Sequence, residues 1–103
     1  MQAGSMKHHK IIARLAAEPR AVELEIAAPI GTPTVSPFER ALELTGVKAL
    51  STAIFKTASH VVLIATVVEE NGDQLDAGRI AKLIAAVRDQ LSVRAYETPA
   101  RAA

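Results

Sequence analysis

Residues 61–68 read Val61-Val62-Leu63-Ile64-Ala65-Thr66-Val67-Val68, set between His60 and the polar run Glu69-Glu70-Asn71-Gly72-Asp73. A strand with one wet face alternates apolar and polar residues, because successive side chains point to opposite faces. This stretch does not alternate, which predicts a central strand covered on both faces. Valine and isoleucine lose χ1 freedom in a helix and pack well on a pleated surface. The rival reading is a buried helix that starts near Val47 and runs on to Asn71-Gly72, which would make the chain an all-α bundle.

Working back from this run, Val47 to Ser59 is expected to be a second helix, since Val47, Leu50, Ile54, Phe55 and Ala58 fall at helical spacing. Before it, Ser36-Pro37-Phe38-Glu39 has the form of a capping box: Ser36 at the N-cap, Glu39 reaching back, and Pro37 in the first helical position, where its missing N–H does no harm. That helix, over residues 36–45, is expected to bury Phe38, Ala41 and Leu42 and to stop at Gly46, a natural left-handed terminus. Residues 28–36 carry Pro29, Gly31 and Pro33 and read as a connector. Further back, Val22, Leu24 and Ile26 alternate with Glu23 and Glu25, the pattern of a half-buried strand. Residues 8–16 and 21–27 then form a hairpin turning at Ala17-Glu18-Pro19-Arg20. A helix over residues 10–18, ended by Pro19, is the weaker reading of the first half.

Working forward, Asn71-Gly72 is a turn pair, because both residues tolerate positive φ. Beyond it, Ile80, Leu83, Ile84, Val87 and Leu91 make one apolar stripe at i, i+3, i+4, i+7 and i+11, so residues 76–91 form a helix capped by Asp76 or Asp73. Residues 92–97 are expected to add a short edge strand, and residues 98–103 to fray. The fold class is therefore α+β, a small sheet of three to four strands with two to three helices. Residues 6–98 make one compact domain, a usual size for a single core. Residues 1–5 read as an appended remnant and 99–103 as a frayed tail.

Half of the 103 residues are apolar but only three are aromatic (Phe38, Phe55, Tyr96), so the core is aliphatic. Such side chains bury less area each than an aromatic does, and a self-associating subunit is expected. There is no cysteine, which removes disulfides and thiolate chemistry. The start of the chain lacks an apolar signal region, and the Val61 run is shorter than the ~20 residues a bilayer crossing needs, so a cytoplasmic protein without a membrane partner is expected.

Chemical motifs are scarce. His8 and His9 are adjacent and diverge on either a strand or a helix, and His60 is distant, so no metal site is expected. The acidic turn at residues 69–73, with Asp76, lacks the ligand spacing of a calcium loop. Ser51, Ser59 and Ser92 lie in no nucleophile elbow, and the isolated glycines form neither a P-loop nor a dinucleotide fingerprint. Glu23 and Glu25 share a strand face, as solvent-facing strand residues do. No enzyme activity and no cofactor are expected. The formal net charge is +1, yet Lys7, Lys10 and Arg14 form a basic arm and Arg79, Lys82 and Arg88 decorate the last helix. These six are the candidate contacts of a nucleic-acid-binding alternative. The preferred expectation is a small non-catalytic module that binds protein, itself included.

Overall fold

The structure, a computed structural model, describes residues 10–15 and 21–102, with side chains through residue 92. It is α+β: β1 (Lys10–Leu15), β2 (Val22–Pro29), α1 (Val35–Thr45), β3 (Val47–Lys56), β4 (His60–Glu69) and α2 (Ala77–Ala102). The four strands form one antiparallel sheet in the order β1-β2-β4-β3. The all-α alternative does not occur.

The valine-rich run is β4, paired with β2 on one side and β3 on the other. Register sets which side chains share a face. Val22, Leu24 and Ile26 of β2 stand beside Val67, Ala65 and Leu63 of β4. All six belong to a single cluster that also holds Phe38 and Ala41 of α1, Leu75 ahead of α2, and Leu83, Val87 and Leu91 of α2. Both helices therefore pack on one face of the sheet. Burying each large side chain there contributes about 1.5–3 kcal/mol.

The expectation that both faces of the run are covered holds only in part: no residue from Val61 to Val68 is exposed, but both helices lie on one face. On the far face, Val62 and Val68 are buried but Ile64 and Thr66 only half-buried, and neither helix lies over them. In the ladder Val62 stands between Ala27 and Phe55, and among the described residues no second layer lies over this face. Antiparallel sheets tolerate one open face in this way.

The expected hairpin is present as β1 and β2, the outer ends of its first strand lying outside the described residues. β2 continues through Pro29, two residues into the expected connector; Pro29 stands opposite His60 at a pair that exchanges no hydrogen bonds with β4, so its missing N–H costs that ladder nothing. The α1 capping box is not formed. The N-cap is Thr34, without a side-chain capping bond, and Ser36 lies inside the helix. Pro37 consequently sits at the third helical position and is buried. Its missing N–H is still harmless there, because the first intrahelical donor is Phe38 N–H to Thr34 O at 3.0 Å. Gly46 ends α1 as expected, at φ 71 and ψ 32, with its N–H on Leu42 O.

The second helix expected at residues 47–59 is instead the strand β3. A β-bulge between Ala49 and Ser51 leaves Leu50 without a partner in the ladder. The extra residue breaks the alternation and yields spacings of three and four that imitate a helix. The turn at the end of β4 forms as read: Gly72 takes φ 95, its N–H reaches Glu69 O at 2.8 Å, and Asn71 Oδ1 accepts from Asp73 N at 3.0 Å. Asp76 caps α2, its Oδ1 accepting from Arg79 N at 2.8 Å. α2 then runs on to Ala102, taking in residues 92–97 where an edge strand was expected and most of the tail read as frayed.

Candidate interaction surface

β3 is an edge strand of ten residues, and every residue from Ser51 to Lys56 is exposed. Its exposed side chains include Leu50 (51% exposed), Ile54 (44%) and Phe55 (49%), large apolar groups on a strand whose outer edge is free among the described residues. Such an edge presents unpaired backbone donors and acceptors, a template for another strand. Only the first part of β3 is tied down. Val47 is buried, and Ala49 packs against the core.

The open sheet face adjoins this edge. Across it run two rows set by register, Ile12–Glu25–Ile64–Ala53 and Lys10–Ala27–Val62–Phe55. The next row begins Arg14–Glu23–Thr66–Ser51. Here Arg14 donates through Nε to Glu23 Oε1 at 2.9 Å and through Nη2 to Glu25 Oε1 at 2.5 Å. The β1 edge thus carries a charged clamp, whereas the exposed middle of β3 carries none.

A second polar knot lies on the helix side. Arg79, at the start of α2, binds both carboxylate oxygens of Glu69 at 2.9 Å and also donates to Thr45 O at the end of α1. One guanidinium so links the end of β4, the start of α2 and a carbonyl at the end of α1. The hydrogen bonds that Arg79 donates to Glu69 raise the Arg79 pKa above its ordinary value, burial opposes them, and the charges of Glu69 and Asp76 add to the rise.

The β3–β4 turn brings Ser59 Oγ within 2.7 Å of His60 Nδ1. Both side chains are exposed, and among the described residues no acidic group holds the other ring nitrogen. A nucleophile–base pair needs that third group to orient the imidazole. The Thr57 hydroxyl explains the local geometry, since it accepts from His60 N at 3.0 Å and so closes the turn. Among the described residues no group of three or more His, Asp or Glu gathers to hold a metal ion. No helix among them is long and apolar enough to cross a membrane.

Of the six basic residues read as nucleic-acid contacts, Lys7 lies outside the described residues. Lys10 and Arg14 project from the open sheet face, and Arg14 is held by two glutamates. Arg79 is engaged on the helix side by Glu69. Lys82 and Arg88 are exposed on α2, which packs on the face opposite Lys10 and Arg14. One copy therefore does not bring the described five into a single stripe. The residues that sequence reasoning passed over as a surface are Thr52, Ile54, Phe55 and Lys56. The signal that could have found them is the β-branched content of Thr52, Ile54 and Thr57 together with a phenylalanine.

The architecture defines a class, a two-layer α+β domain with two helices on one face of a four-stranded antiparallel sheet. Comparison with known protein families, curated proteins and solved structures finds no match to this chain.

Proposed function

We propose that this protein is a small non-catalytic interaction module that acts by binding protein through its β3 edge, and that it associates with itself. The observation that carries the reading is the exposed run from Ser51 to Lys56, with Ile54 and Phe55 on opposite faces of a strand that has no outer neighbour among the described residues. Main-chain groups at such an edge supply affinity, and alternate side chains supply selectivity. The reading is also supported by the split of the basic residues between two layers, which disfavours phosphate binding by one copy.

Sedimentation equilibrium at tens of micromolar tests the reading. The expected result is a mass above the 10.9 kDa of one chain, rising with concentration. A mass that stays at one chain, together with no retention of other proteins from the source cell, would overturn it.

A further inference from the structure

We infer that the partner at this edge is the β3 strand of a second copy, paired antiparallel about a two-fold axis at Ile54, an inference that rests on the self-association reading above. The argument begins with which backbone groups point outward. In an antiparallel ladder, pairs that exchange hydrogen bonds alternate with pairs that do not. Thr57 N–H donates to His60 O at 2.8 Å. Counting two residues at a time from this pair, Phe55–Val62, Ala53–Ile64 and Ser51–Thr66 are the bonded pairs of the β3–β4 ladder.

The other side of β4 gives the same parity. Ile30 N–H donates to Ser59 O at 3.0 Å, so Val61, Leu63, Ala65 and Val67 direct their backbone groups to β2. This leaves Val62, Ile64 and Thr66 for β3. Ser51, Ala53 and Phe55 consequently face inward, and Thr52, Ile54 and Lys56 hold N–H and C=O groups toward the open edge.

A new antiparallel strand must match outward residues with outward residues. The two-fold at Ile54 does so for all three: Ile54 meets Ile54 of the second copy, and Thr52 meets its Lys56 in both directions. Roughly six hydrogen bonds form, two for each bonded pair. On the opposite face Phe55 stands across from Ala53 of the second copy, a large group beside a small one. Neighbouring registers do worse. Centring on Thr52 or Ala53 carries Lys56 to or past the bulge at Leu50. Centring on Phe55 carries Thr52 into the turn, and centring on Lys56 brings two ammonium groups together, which is unfavourable.

The helices permit this approach. Thr52, Ile54 and Lys56 lie on the helix-bearing face, as their ladder partners Ala65, Leu63 and Val61 show, and all three are exposed. The helix layer therefore stops short of this half of β3, and two copies meet without their helices colliding. The product is an eight-stranded sheet with both helix layers on one side. A ladder of this length alone covers less than the roughly 1,200 Å² of a standard interface, so the association is weak and concentration-dependent.

Charge exchange at Ile54 tests the register. Ile54→Lys and Ile54→Glu should each sediment as monomers with unchanged circular dichroism, and their equimolar mixture should regain the dimer mass. Because the chain has no cysteine, single cysteines map the pairing. Ile54→Cys should oxidise to a covalent dimer, since facing residues of a bonded pair lie about 5.5 Å apart, within disulfide reach. Thr52→Cys and Lys56→Cys should link to each other and not to themselves, because like residues would be more than about 13 Å apart along the strands. A wild-type dimer whose mass is untouched by the charged variants, or Thr52→Cys linking to itself as readily as Ile54→Cys, overturns the register and leaves self-association standing. A wild-type monomer at every concentration overturns both.

Discussion

β3 and β4 are the two arms of one hairpin, each ten residues long, yet they have opposite surroundings. β4 is buried along most of its length, while β3 is exposed beyond its first residues. Ile54 and Leu63 make the contrast sharpest, because they face each other across the ladder on the same side of the sheet. Leu63 is fully buried beneath the helices and Ile54 is 44% exposed. Similar side chains one strand apart therefore do different work, since a strand's position in the sheet decides how much water its side chains lose. β4 has strands on both sides and helices above. Among the described residues β3 has a strand on one side only, and the helix layer ends before its outer half.

Substitution at this pair is the strongest way to break the comparison. Leu63→Ala should destabilise the domain by about 2–5 kcal/mol through lost burial and the cavity left behind, read as a lower urea midpoint with unchanged slope. A loss as small as that expected at an exposed site would mean that β4 is not the centre of the core. A smaller effect is expected at the joint where α1 hands the chain to β3. Gly46→Ala should cost about 1–2 kcal/mol, because φ 71 is unfavourable for any residue with a Cβ. Among the described residues the added carbon meets only Arg79 Nη2, at 3.7 Å, so backbone strain dominates. The smallest effect on the isolated chain belongs to Ile54→Ala, expected within about 0.5 kcal/mol of wild type at concentrations where the protein is monomeric. At higher concentration the same variant should lose dimer mass, and that separation of folding from association sharpens the contrast between the two strands.

The two edges of the sheet follow the same logic. β1 is six residues long and is flanked by the Arg14–Glu23–Glu25 clamp. Charges on an edge strand oppose the approach of another strand. β3 has lysines only near its two ends, Lys48 and Lys56, with an uncharged segment between them. The bulge at Leu50 limits the regular edge to its second half, which restricts the ways in which a second strand can add.

Much of this architecture was legible in the chain because it rests on short-range rules. The β-branched density of the valine-rich run favoured an extended, central strand over the rival buried helix, and Val22, Leu24 and Ile26 declared their strand by alternation. Gly46, Asn71-Gly72 and Asp76 marked turns and ends by their own backbone and side-chain chemistry. The stripe from Ile80 to Leu91 set the buried face of α2. Tertiary structure alone decided that residues 47–56 are a strand. The inserted Leu50 scrambles the two-residue period, and only pairing with β4 resolves the ambiguity between helix and strand. It also decided the strand order, and with it which edge and which face stay open, because pairing partners distant in sequence leave no local trace.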